Sequence, residues 1–197
     1  MIDVESWLKA GGVLLLALIV FAESGLMLGF FLPGDSLLFV AGFLSSAAGG
    51  HTLSPLPVTA LVAFIAAALG DQVGYLIGRR LGPAVFARDR SRLFNPANAR
   101  RAEEFFAKRG PRAIVLARFV PIVRTFVPVV AGVGSMHYRT FVTYNLIGAA
   151  LWGIGVTTLG YFLGEIEVVK NSLEYAAGSI VAISLLPLAL EDRKSVV

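Results

Sequence analysis

Between Ala113 and Gly134 the chain is almost wholly apolar, yet it carries two arginines, Arg118 and Arg124, placed symmetrically about Pro121. A charged side chain at the centre of a bilayer costs about 2.5–3.5 kcal/mol on insertion scales, so two in one segment need compensation. Pro121 and Pro128 each remove a backbone donor and disfavour a straight helix. A broken, doubly cationic segment is tolerated at membrane depth only where it is buried in protein or lines a wet cavity. The pattern predicts an anion-handling site, with acidic groups or an anionic ligand opposite the arginines.

The membrane setting follows from composition. The chain is 56% hydrophobic and 15% charged, with mean hydropathy +0.77. A soluble domain carries about 25% charged residues. An all-α polytopic membrane protein is therefore expected. Its 197 residues suit one membrane domain, 1–197, rather than two. The absence of cysteine excludes disulfides and thiolate metal sites.

Charge is unevenly placed. Residues 79–112 hold ten Lys/Arg and three acids, a surplus of +7, which leaves −3 elsewhere in a chain of net charge +4. Short basic loops stay cytoplasmic, so this loop is expected inside. It could also touch anionic head groups. Nucleic-acid binding is not expected, because the patch has few aromatics and lies between membrane segments. The N-terminal apolar run follows an acidic lead-in and has no small-residue cleavage site, so it reads as a retained helix.

In order, the pattern predicts a first helix over about 5–22, partly interfacial around Trp7 and Lys9, followed directly by Glu23. A segment broken by Gly29, Pro33-Gly34-Asp35 and Gly42 covers 25–46, and a full span covers 57–78. The basic loop contains a surface helix near 98–109. The broken segment 113–134, a span at 141–164, an acidic turn at 165–174 and a last span at 175–190 complete the chain.

Gly74-Tyr75-Leu76-Ile77-Gly78 recurs as Gly160-Tyr161-Phe162-Leu163-Gly164, and Pro33 recurs as Pro121, at similar separations. The basic flank of the first and the acidic flank of the second predict opposite orientations. Two related halves, about 11–78 and 113–190, then form an inverted repeat of the kind found in transporters. With the basic loop and C-terminus inside, 25–46 and 113–134 become re-entrant hairpins dipping from opposite faces, although each could also be a plain spanning helix.

Four residues would carry the chemistry. Arg118 and Arg124 suit a phosphate, which guanidinium groups bind bidentately. Glu23 and Asp35 are acids in apolar surroundings, suited either to proton coupling and counter-ion duty or to an ion pair that only holds the hairpins together. Asp71 could line the same cavity or pair with Arg79 two turns on. Asn145 is a further cavity candidate, with helix bridging as its plainer role, and Trp152 is expected to pack. His51 and His137 have no second ligand nearby, so no metal or cofactor is expected. No nucleophile–base pair is visible, and enzymatic activity is not expected.

Glu23, Phe31-Leu32-Pro33-Gly34-Asp35, Gly70-Asp71, Gly74-Tyr75 and Gly78-Arg79 together resemble the bacterial DedA family (SNARE-associated, or VTT, domain). So does the run Arg118, Pro121, Arg124, Pro128, Ala131-Gly132, Met136, Phe141, Asn145, Gly148-Ala149 and Trp152. The resemblance covers about 15–165. Asp35 stands where many members have Glu, which keeps the charge, and a proline that some members carry between Glu23 and Pro33 is absent. The resemblance implies a cytoplasmic-membrane protein with two facing hairpins that moves lipid between leaflets. In bacterial members the lipid implied is undecaprenyl phosphate; eukaryotic relatives resemble phospholipid scramblases. It also implies a link to the proton-motive force and a functional need for Glu23, Asp35, Arg118 and Arg124.

The expected function is thus a lipid-phosphate flippase, with membrane lipids, a polyprenyl phosphate and protons as partners and a homodimer as a possible assembly. The alternatives are a proton-coupled carrier of a small soluble ion or solute, a phospholipid scramblase, and a non-transporting scaffold. A lateral opening to the bilayer separates a lipid carrier from a solute carrier.

Overall fold

The computed structural model describes residues 4–25, 34–85, 110–164 and 166. The surface helix expected near 98–109, Pro33, the acidic turn and the last span lie outside the described residues. Every regular element among the described residues is a helix: α1 Val4–Gly25, α2 Gly34–Ser45, α3 Leu56–Val85, α4 Arg112–Ala117, α5 Pro121–Val133, α6 Tyr138–Ala149, and α7 Gly155–Leu163. A π-helical turn, Ala150–Ile154, joins α6 to α7 without a break.

Among the described residues, three stretches are long and apolar enough to cross a membrane: Val4–Gly25, Leu56–Arg80 and Tyr138–Leu163. A helix needs about 20 residues to cross a hydrocarbon core of about 30 Å. The first of the three is not straight. At Gly12 the backbone turns to φ 60°, ψ −158°, which glycine reaches without steric cost. The kink separates an N-terminal turn bearing Trp7 and the Lys9–Glu5 ion pair from the apolar arm 13–25. That arm rises only about 20 Å, and the 12-residue α2 about 18 Å. Glu23 therefore sits inside the last turn of α1, where the sequence suggested that it followed the helix.

Leu61, Ile65, Leu69 and Leu76 form a stripe along α3 that is 41–53% exposed. Their spacing of four and seven residues puts them on one helical face, and such a face is stable against lipid, not water. The opposite side of α3 packs inward with Ala63, Ala67, Asp71 and Tyr75, all buried.

Close helix contacts fix how the elements run. α1 lies alongside α3, with the backbones touching at Gly25 and Gly70. A Cβ built on Gly42 would overlap the Thr157 carbonyl oxygen, and one on Gly160 would overlap that of Phe39, so α2 lies backbone to backbone against α7. The same exchange recurs between α5 and α3: a Cβ on Gly132 would overlap the Tyr75 carbonyl oxygen, and one on Gly78 that of Val129. Small residues at such crossings let helices approach within the bilayer. Gly78 and Gly160, from the two Gly-Tyr motifs, each press against the backbone of a neighbouring helix in this way.

These contacts gather the chain ends of the elements at two poles. Ser45, Leu56 and Tyr161 meet at one. At the other, the Tyr75 hydroxyl donates to the Met136 carbonyl oxygen at 2.5 Å and accepts from Arg79 Nη1 at 2.9 Å, while its ring stacks on Phe141. Arg79 and Arg80 in α3 and Arg139 in the first turn of α6 belong to segments at this second pole.

Candidate functional site

Asp71 lies 15 residues into α3, and Trp152 lies 14 residues past the start of α6. At 1.5 Å per residue, each is roughly 20 Å from its own pole. At this depth the broken segments end: α1 stops at Gly25, α2 starts at Gly34, α4 stops at Ala117 and α5 starts at Pro121. Broken helices bring side chains and helix termini into the membrane interior together, and the charges collect there.

Arg124, in the first turn of α5, joins two elements of the first half. Its Nη2 donates to Glu23 Oε1, and its Nη1 donates to Asp35 Oδ1 at 2.6 Å. The three side chains are at most 8% exposed. Asp35 occupies the first turn of α2, where the positive end of the helix dipole favours a carboxylate. Gly34 is needed for the approach, because a Cβ there would overlap the Glu23 carboxyl group.

Arg118, at the end of α4, makes a second cluster. Its Nη1 donates to Asp71 Oδ2 and, at 3.0 Å, to Asn145 Oδ1. Asn145 donates from Nδ2 to the Ala68 carbonyl oxygen at 3.1 Å, so it both bridges helices and holds the arginine. Asp71 thus pairs with Arg118. The sequence-level alternative, Arg79, bonds Tyr75 instead. Glu23 and Asp35 both bond Arg124.

Trp152 connects the clusters. Its indole Nε1 donates to Asp35 Oδ1 at 2.6 Å, and its ring lies 4.4 Å from the Arg124 guanidinium and 5.5 Å from that of Arg118. These distances allow cation–π attraction to both. Sequence reasoning expected Trp152 only to pack. A usable signal existed, since Asn145 and Trp152 are seven residues apart and so share a helix face. The π-helical turn containing Trp152 is a second signal, visible only in the structure, because such turns concentrate at functional sites.

Between the clusters lies a cavity of about 10 Å³ lined by Ser24, Asp71, Arg118, Arg124 and Trp152. That is room for about one water molecule and not for a phosphate. Among the described residues, Glu23 Oε2 and Arg118 Nε are buried without a hydrogen-bond partner. Two guanidinium groups face three carboxylates here. An anion entering this site must displace a carboxylate from an arginine, and the displaced carboxylate must then find a donor, a proton or water.

A profile of the VTT domain matches residues 32–162. Protein DedA of Escherichia coli K12 is 45% identical over 177 residues, covering 90% of this chain and 80% of that protein. An uncharacterized membrane protein of Mycobacterium tuberculosis H37Rv is 46% identical over 194 residues, covering 94% and 83%. Inner membrane protein YqjA of Escherichia coli K12 is 36% identical over 176 residues, covering 89% and 76%. No solved structure matches the chain.

Proposed function

The chain belongs to the DedA family of VTT-domain membrane proteins, and we propose that it carries a lipid phosphate, undecaprenyl phosphate in the first instance, across a bacterial cytoplasmic membrane. The observation that carries this reading is Arg124, buried at mid-depth and held by Glu23 and Asp35 together. A guanidinium with two exchangeable carboxylate partners can pass its bonds to a phosphate. Arg118 supplies the second cation, with Asp71 as the group it exchanges.

The transport geometry is an inverted repeat with two re-entrant hairpins. The reciprocal glycine contacts of α2 with α7 and of α5 with α3 support it. So does the course of the short helices: α1 and α2 meet at Glu23 and Gly34, and α4 and α5 are joined by Arg118, Phe119 and Val120 alone. Arg79, Arg80 and Arg139 favour the cytoplasm for their pole, which puts the Ser45–Leu56 pole outside.

In this mechanism the phosphate competes with Glu23 and Asp35 for Arg124, and a carboxylate that loses its arginine takes up a proton. Head-group binding then loosens one hairpin while the prenyl chain stays in lipid. The test is flipping of labelled undecaprenyl phosphate in liposomes containing the purified protein, with and without a pH gradient. Gradient-dependent flipping that is lost in Arg124→Ala is the expected result. Flipping indifferent to the gradient makes the protein a scramblase, and no flipping in either condition overturns the lipid reading in favour of a soluble-ion carrier.

A further inference from the structure

α1 and α3 touch at Gly25 and Gly70, with Ser24 also pressed against Gly70. Toward the start of both helices they enclose a groove of about 260 Å³. Its floor is Ala66, which is buried, and its rim includes Leu18, Ile65 and Leu69, which are 57%, 43% and 53% exposed. Ala17 and Phe21 line it from α1. Every lining side chain is hydrocarbon.

What gives the groove a meaning is where it ends. Phe21 is two residues before Glu23, and Leu69 is two residues before Asp71. Ser24, at the same end, lines the small polar cavity together with Asp71, Arg118, Arg124 and Trp152. A hydrocarbon slot open toward the bilayer thus runs about 10 Å along α3 and ends at the Gly25–Gly70 contact, next in sequence to Ser24 and Asp71, which line the polar cavity. A free inorganic ion has no use for such a slot. A long-chain amphiphile with an anionic head fits both parts at once.

We infer that the α1–α3 groove is the binding site for the chain of the lipid whose head group Arg124 and Arg118 receive. The inference rests on the lipid-phosphate reading above and adds where the lipid's chain lies: in the bilayer-facing slot between α1 and α3. The small side chains of Ala17 and Ala66 keep the slot open, and the Gly25–Gly70 contact closes its inner end, so the chain stops where the head group begins.

The test uses an undecaprenyl phosphate analogue with a benzophenone on its first isoprene units, photolysed with the full-length protein in nanodiscs. Adducts are expected in the peptides containing 17–21 and 62–69. An excess of undecaprenyl phosphate should suppress them and an equal excess of undecaprenol should not. Ala17→Phe, and separately Ile65→Trp at an exposed position, should each lower the competed adducts about tenfold, a loss of about 1.4 kcal/mol in binding. Phosphate-competed adducts around Leu146, Leu151 or Phe162 would overturn the groove and leave the transport reading standing. Groove adducts that undecaprenol removes equally well would mark ordinary boundary lipid and also overturn it. Absence of any phosphate-competed adduct would overturn both. If Leu18→Cys cross-links efficiently to a second copy and the cross-link removes the adducts, the groove belongs to a helix of that copy and the inference fails.

Discussion

Trp152 donates its indole hydrogen to Asp35 across 117 residues of sequence, and the accepting oxygen, Oδ1, is the one that Arg124 also reaches. The carboxylate is therefore shared between a neutral donor on the third long stretch, Tyr138–Leu163, and a cation on a short broken helix. When Arg124 turns to another anion, Asp35 still has the indole. That arrangement lowers the cost of breaking the ion pair, because a buried carboxylate with no donor is expensive.

Trp152→Phe keeps an aromatic ring over Arg124 and removes this donor. A hydrogen bond to a charged group contributes about 1.5–3 kcal/mol, and the variant should lose stability of that order. Thermal unfolding in lipid nanodiscs measures it. An unchanged melting temperature would show that the indole donor contributes nothing.

Asp71→Asn leaves Arg118 as a buried cation without its carboxylate, and loss of about 3–5 kcal/mol is expected. Combining it with Arg118→Gln replaces the ion pair by two amides and should recover most of that loss. Transport should remain absent in the double variant, since the phosphate has lost one of its two cations. A double variant that is stable and also flips lipid would assign the pair a purely structural role.

Gly42→Ala and Gly132→Ala each place a methyl group against a backbone carbonyl, where the neighbouring helix itself must move. Each should cost roughly 1–3 kcal/mol. Gly155→Ala, with open space around its Cβ position, should be neutral or slightly stabilising. Parallel melting curves of the three variants test the reciprocal packing, and equal behaviour of all three would refute it.

Tyr75→Phe keeps the stack on Phe141 and removes the hydroxyl that links Met136 and Arg79. About 1 kcal/mol should be lost. The local effect is the better readout: backbone amides over 134–138 should exchange hydrogen faster, while those of 59–63, near the opposite pole, should not change.

Much of the site is legible in the chain itself. Arg118, Arg124, Glu23 and Asp35 stand out because charge inside apolar segments is costly, and the structure buries Glu23 and Asp35 against Arg124 with Arg118 beside them. Asp71 and Asn145 stand out less, since a polar residue within a span has several ordinary roles. Trp152 stands out least, because a tryptophan in an apolar helix is unremarkable until its nitrogen is seen to face a carboxylate, and only its seven-residue spacing from Asn145 pointed to a shared face.

The sequence by itself determined the class of molecule, the helix break before Pro121 and the presence of buried charge of both signs. Those are local properties: apolar composition sets the solvent, a proline favours a helix start, and a charged side chain carries its cost wherever the backbone takes it. Gly42 and Pro128, in contrast, lie inside α2 and α5, and the kink at Gly12 was not expected. Which acid holds which arginine was decided only by tertiary structure. Arg124 reaches acids 101 and 89 residues away, and Arg118 one that is 47 residues away. Coulomb attraction between a guanidinium and a carboxylate is alike for every such pair, so it does not select partners. Selection comes from the helix contacts at Gly25, Gly42, Gly78 and Gly132, which fix the register and thereby the few ångströms that separate a bonded pair from an unbonded one.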